Sequence, residues 1–252
     1  GFTLVAGGEI GSGLAGSTWA DRLDRALGAR PEKATAARVG IEVAATLGNR
    51  VDEREWAAAC ALLKIPVPSV ALERLARERL VVDDDRPGGL GWRFAHAAIR
   101  EALIAAALGQ GRTRMLNRAC ARALAAGGKG QRGLNERIGR HLHAAGDHAQ
   151  ALTWLLVAAR RRLLRDEVRE AAAVIDVARE ARRAGSLDAD PRGSTVDVLG
   201  AIVQLRGGGH GGLRALDQAV ASARAAGHDA AVTEGLVARA DAWRRVGNVD
   251  AA

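Results

Sequence analysis

Apolar residues recur at i, i+3, i+4 and i+7 through almost the whole of this 252-residue chain, the spacing that gathers them on one face of an α-helix. Trp56, Ala59, Cys60 and Leu63 keep it, as do Ile99, Ala102, Leu103 and Ala106, then Leu116, Ala119, Cys120 and Ala123. Ile138, His141, Leu142 and Ala145 continue the series, followed by Ala171, Val174, Ile175 and Ala178, and by Leu216, Ala219, Val220 and Ala223. Breakers separate the runs at Gly127-Gly128, Gly146-Asp147, Gly185-Ser186, Pro191, Gly207 to Gly209, Gly227 and Gly247. The pattern predicts a predominantly all-α protein.

One stretch departs from it. Leu80-Val81-Val82 and Leu90 to Phe94 are short apolar runs around an Asp/Pro/Gly turn, the signature of a β-hairpin. It follows three expected helices, at about 35–47, 52–63 and 69–79, and three helices followed by a hairpin is the layout of a winged helix. The pattern then dissolves into Gly, Lys, Gln and Arg between Gly127 and Gly133, where a boundary is expected. The expected divisions are a leading segment 1–30, a winged-helix-like domain 31–127 and helical repeats over 134–252.

The repeats rest on a local spacing. Gly146-Asp147 precedes Ala151 by five residues and Ala158 follows seven later, while Gly247-Asn248 stands at the same distance before Ala252. Ala171 and Ala178, and Ala215 and Ser222, occupy equivalent slots. A left-handed glycine ends one helix, and small residues let the next approach its partner closely. Helix pairs that cannot bury a whole apolar face alone stack into a solenoid. The expectation is a degenerate TPR-like α-α superhelix, cut off within its last repeat.

Hydrophobic residues make up 48% of the chain, which excludes a disordered polar tract. No apolar run is long enough for a membrane span, and the glycine-rich opening lacks the basic residues of a signal peptide. Cys60 and Cys120 lie in helical patterns and are expected as buried free thiols of a cytoplasmic protein. The net charge of +8 points toward nucleic acid or anionic surfaces. Only three of the 37 basic residues are lysines (Lys33, Lys64, Lys129), a bias that GC-rich coding imposes on any protein, and the charge is discounted accordingly.

Three segments resemble the C-terminal region of bacterial STAND-type signalling ATPases, a group that includes the large LuxR-type regulators and kinase- or cyclase-linked relatives. Trp19-Ala20-Asp21-Arg22-Leu23-Asp24 is similar to the segment leaving the ATPase lid. Phe94-Ala95-His96-Ala97-Ala98-Ile99-Arg100-Glu101-Ala102-Leu103 resembles the F-x-H-A-x-I-R-E-A-L segment closing the winged helix. His141 to Asp147, with Ala151, Trp154-Leu155-Leu156 and Ala158-Ala159, resembles the helix pair opening the TPR array. The resemblance covers about residues 15 to 185. It implies a regulatory module whose partner is a protein, the ATPase's own domain or a small-molecule inducer. ATP is expected only in an upstream domain, because no G-x-x-x-x-G-K-[ST] occurs in this chain.

Chemistry is otherwise sparse, and the chain is expected not to be an enzyme. Gly7-Gly8 and Gly11-Ser12-Gly13 have no cation before Arg22 and read as a turn, not a phosphate loop. His141, His143, Asp147 and His148 cluster in sequence. Residues two apart point in different directions on a helix, unlike the i, i+4 His pair of a zinc helix, so a packed His141 with exposed neighbours is expected. Arg100 and Glu101 are expected to form local ion pairs beside His96. DNA binding through helix 69–79 is opposed by its mixed Glu73, Arg74, Arg77, Glu78 and Arg79, and by a hairpin tip of Asp83-Asp84-Asp85. Arg160, Arg161, Arg162, Arg165, Arg182, Arg183, Arg244 and Arg245 end or line helices, where cations suit the macrodipole. They read first as solvated faces. Arg160, Arg161, Arg165, Arg182 and Arg183 are the candidate surface for an acidic partner. Without Tyr and with two Phe, no base-stacking platform is available.

Overall fold

The computed structural model describes residues 19–28, 35–84, 91–127, 133–208 and 211–245. Among these the chain is mostly helical, with one small open three-stranded sheet. The N-terminal glycines, the hairpin tip from Asp85 to Leu90, residues 128–132 and the Gly247/Ala252 repeat lie outside the described residues.

The first half begins with α1 (Trp19–Leu27), α2 (Ala36–Leu47), β1 (Arg50–Asp52), α3 (Glu53–Leu62) and α4 (Ser69–Arg77). It continues through β2 (Val81–Asp83), β3 (Gly91–Phe94), α5 (Ala97–Gly109) and α6 (Thr113–Gly127). Thr35 caps α2 by accepting from the Arg38 amide, and Asp52 caps α3 by accepting from Arg54 and Glu55. β2 and β3 form the expected antiparallel pair, with Val81 opposite Phe94. A third strand, β1, pairs with the other side of β3, Val51 opposite Trp92. Three residues between a helix end and a helix cap are too short to show alternation, so the sequence pattern did not reveal this strand. Gly91 permits the pairing, since a Cβ there would stand 2.3 Å from the Val51 carbonyl oxygen.

Trp56, Trp92 and Phe94 form the aromatic centre of this half, stacked edge to face at centroid distances of 5.4 and 5.1 Å. Trp56 Nε1 donates to the Gly40 carbonyl at 2.7 Å, which ties α3 to α2. Leu23, Ala26 and Leu27 of α1 are buried in the same core, and Arg22 Nη2 donates to the Glu78 carbonyl at the end of α4 at 2.8 Å.

Charge is buried here too. The Glu42 side chain has 0% exposure and accepts a two-pronged bond from Arg112, at 2.8 and 2.7 Å, while Arg38 lies 3.4 Å away. Arg38 in turn reaches Asp24 at 2.7 Å. The network joins α1, α2 and the turn between α5 and α6.

The second half comprises α7 (Leu134–Ala144), α8 (His148–Leu164), α9 (Val168–Ala184), α10 (Pro191–Arg206), α11 (Gly212–Ala225) and α12 (Asp229–Arg245). Each helix packs on the next, and α10 also touches α8 and α12, so α8, α10 and α12 share one side. Ala151, Ala171 and Ala178 are fully buried and Ala158 nearly so, as expected for close approach. Ala215 is only half-buried and Ser222 is exposed; α11 buries Leu216, Val220 and Ala223 instead. Gly139 permits the tightest contact of α7 with α8, because a Cβ there would meet Leu155 Cγ at 2.7 Å.

Gly146 adopts the left-handed conformation (φ 83°) as expected. The same conformation recurs at Asp166, Ser186, Gly208 and Gly227, at intervals of 20, 20, 22 and 19 residues. The repeat is regular in backbone geometry although its residues are not. α6 packs on α2 and α3 on one side and on α7 on the other, and one buried cluster runs through both halves.

Glu42→Ala strands Arg112 and Arg38 without their buried partner and is expected to lower unfolding free energy in urea by about 3–5 kcal/mol. A loss below about 1 kcal/mol, the range of exposed pairs, would refute the network's role. Gly146→Ala and Ser186→Gly should shift stability in opposite directions, by about 1–2 kcal/mol down and about 0.5–1 kcal/mol up, read from the same denaturation curves.

Candidate functional site

Two recesses collect the polar side chains of interest. The first is a groove of about 300 Å³ between α8, α10 and α12. Its floor is apolar: Leu163, Leu199 and Ile202 are nearly covered, whereas Leu164 and Val237 stand 85% and 63% exposed at its edge. Arg160 of α8 spans the groove to Glu234 of α12 with paired bonds of 2.7 and 2.8 Å. Arg206 donates to the Leu163 carbonyl at 2.8 Å, and Arg244 reaches Asp241 at 3.3 Å.

The second recess, of about 440 Å³, lies where the halves meet, between α2, α5, α6 and α7. Arg100, Arg137, Arg140 and His141 provide its ionisable lining, beside Thr46, Thr113 and Asn117. Arg137 reaches out of α7 to clasp Glu55 of α3 at 3.0 and 2.6 Å. Arg140 is paired with Glu136 of its own helix at 3.0 Å. Two of the three family-like segments, those containing Arg100 and His141, therefore converge on one cavity.

The sequence-derived candidates separate into distinct places. Phe94 is core, at 1% exposure. His96 is exposed at the N-cap of α5 and its side chain makes no cap bond. Arg100 does not form the expected local ion pair; its Nε donates to the Ala45 carbonyl at 2.8 Å, and Glu101 is exposed. The reason is geometric. The helix turn that carries Arg100 faces the C-terminal end of α2, where unsatisfied carbonyls attract a cation. Asp21 is exposed at the start of α1, one residue before the half-buried Arg22; the Trp19 side chain lies outside the described residues.

At the turn between α7 and α8, Asp147 does not cap α8 with its side chain. It receives two bonds from Arg118 of α6, at 2.7 and 2.6 Å, which hold its carboxyl below the usual carboxylate range. Trp154 is half-buried against the core. Of the hairpin acids, Asp84 is paired with Arg50 at 3.2 Å and its side chain is 5% exposed.

Of the basic residues, Arg160, Arg165 and Arg182 are held in ion pairs with Glu234, Glu167 and Asp197. Arg183 donates to the Arg179 carbonyl and is exposed, as is Arg161. Three of the five guanidinium groups are thus already engaged with carboxylates.

The histidines divide as their surroundings dictate. His141 Nδ1 meets Asn117 Oδ1 at 2.8 Å, and Asn117 Nδ2 donates to the Thr113 carbonyl. Asn117 Oδ1 is thus the acceptor and His141 carries its proton on Nδ1. His143 and His148 are half-buried, not exposed, with their Nδ1 atoms 3.1 Å apart. Burial first, and His148 second, push His143 below its ordinary value. No group of three or more metal-ligating side chains occurs among the described residues.

Cys60 and Cys120 are buried and free, and burial raises their thiols to about 11 and about 12, so neither is a thiolate at neutral pH. Sequence spacing gave no sign of one further pair: Ser194 Oγ lies 2.8 Å from His228 Nδ1, joining α10 to the turn before α12. The neighbouring Asp190 is held by Arg192 and caps α10. No helix among the described residues is long and apolar enough to cross a membrane.

Burial, reinforced by Arg137 and Arg100, pushes the His141 imidazole down to about 4. Its ordinary value in an unfolded chain is about 6.5. The unfolded state therefore binds the proton first as pH falls, and stability is lost between pH 6.5 and 4. The loss is expected to be about 1–3 kcal/mol. Urea denaturation of His141→Gln across that window should show a flatter pH slope, and an unchanged slope would remove His141 as its source.

No protein-family model, curated protein or solved structure matches the chain.

Proposed function

We propose that the chain is a non-catalytic regulatory and interaction module of a signalling ATPase or transcriptional regulator. In this reading the N-terminal half is a winged helix and the helix pairs from α7 onward are a TPR-like array. The array receives a partner protein, and its packing against the winged helix reports the bound state. The observation that carries the reading is the double packing of α6, on α2 and α3 on one side and on α7 on the other. Arg137–Glu55 and Arg118–Asp147 fasten the same junction. In this reading a change in the array's geometry passes through α6 to the first half, the coupling a switch requires.

The groove between α8, α10 and α12 supports the partner reading. Exposed Leu164 and Val237 beside a charged rim match the apolar centre and polar margin of a protein interface. The ATPase assignment rests on the resemblance of the three segments, with nucleotide bound upstream and not in this chain. DNA binding through α4 is the alternative. The exposed Glu73 and Glu78 among its arginines oppose a phosphate backbone, and the neutralisation of Asp84 by Arg50 relieves only part of that opposition.

Coupling is testable by calorimetry. The chain should unfold in one transition, and Leu155→Ala in α8 and Trp56→Ala in α3 should both move it. Two independent transitions, each sensitive to one substitution alone, would refute the coupled-module reading. For the family part, a P-loop encoded within the few hundred residues before Gly1 is the expected finding.

A further inference from the structure

The junction recess contains a cation that the fold leaves without an opposing charge. Arg137 and Arg140 are each neutralised, by Glu55 and Glu136. Arg100 is not: its Nε is used on the Ala45 carbonyl, and its two Nη groups have no carboxylate partner among the described residues. No Asp or Glu lines the recess. Thr113, on its wall at the start of α6, has a buried Oγ1 with no hydrogen-bond partner among the described residues. That position also lies at the positive end of a 15-residue helix. An Arg fork, an unused hydroxyl and a helix N-terminus in one cavity are the complement of an oxyanion.

Leu47, Ile104 and Ala107 supply the apolar part of the lining. A volume of about 440 Å³ falls within the size range of small-molecule sites. We infer that the junction recess is a binding site for a small organic anion, a carboxylate or phosphate on an aliphatic or aromatic body, gripped by Arg100 with Thr113 in support. The titratable groups facing it are Arg100 from α5 and Arg137, Arg140 and His141 from α7; α2 and α6 contribute none. An anion there offsets the guanidinium field that helps keep His141 neutral, so the imidazole becomes a reporter of occupancy.

The regulatory meaning of such a ligand rests on the coupled-module reading, because only a coupled junction turns occupancy into a signal. Binding itself does not depend on it. Two independent calorimetric transitions would refute coupling while leaving the site intact.

NMR titration of the whole chain with benzoate, inorganic phosphate and the neutral benzyl alcohol tests the site. Benzoate and phosphate are expected to saturate in the roughly millimolar range, to shift the resonances of Ala107 and His141, and to raise the His141 titration midpoint by about one pH unit. Arg100→Gln should weaken both at least about 10-fold. Ala144→Trp, at an exposed position on the rim, should block benzoate with helical circular dichroism unchanged, which keeps the test decisive if Arg100→Gln fails to fold. Equal binding of benzyl alcohol and benzoate, non-saturating shifts, or full benzoate affinity in Ala144→Trp would overturn the proposal.

Discussion

Glu42 is a carboxylate with no access to solvent, and the arrangement of the molecule follows from what it takes to keep it there. An unpaired charge at such depth costs several kcal/mol, so its partners must arrive together. Arg38 comes from one turn earlier on α2 and extends the network to Asp24 of α1. Arg112 comes from the turn after α5 and meets both carboxylate oxygens. The position of Arg112 fixes where α6 begins, and α6 is the surface on which α7, and through it the array, is laid. A charge pair inside the first half thus sets the origin of the second.

From that origin the array grows by repetition of a backbone device. A left-handed residue closes each helix from α7 to α11, about every 20 residues, and reverses the chain so that the next helix packs on the last. At Gly146 and Gly227 the device is written in glycine and can be read from sequence. At Asp166 and Ser186 it is not, since those side chains occupy a conformation that glycine favours. The repeat therefore looks irregular when tracked by Gly and Ala, and nearly uniform when tracked by φ.

Arginine explains most of what the sequence misrepresented. Its abundance suggested solvated helix faces and a basic surface. In the folded chain several of these guanidinium groups close distances between helices: Arg137 to α3, Arg118 to the α7–α8 turn, Arg160 to α12. Two-pronged geometry suits this use, because planar guanidinium and carboxylate groups dock with two parallel bonds. The arginine that matters for the proposed anion site is the one lining the recess that, among the described residues, has no carboxylate partner. Within the recess, subtracting the paired Arg137 and Arg140 leaves Arg100; counting charges does not separate the three.

Local physics was legible in the sequence. Helical spacing located α3, α5, α6, α7, α9 and α11, the Asp/Pro/Gly turn located the β2–β3 hairpin, and the apolar context of Cys60 and Cys120 gave their burial, because each of these depends on residues a few positions apart. What only the tertiary structure decided depends on residues far apart in the chain. β1 exists because β3 lies beside it, Glu42 is tolerated because Arg112 returns 70 positions later, and Arg100 bonds a carbonyl of α2 instead of a neighbouring acid. The junction recess belongs to the same class. Arg100, Thr113 and His141 have no shared spacing that marks a site, and become one only when α5, α6 and α7 close around a common space.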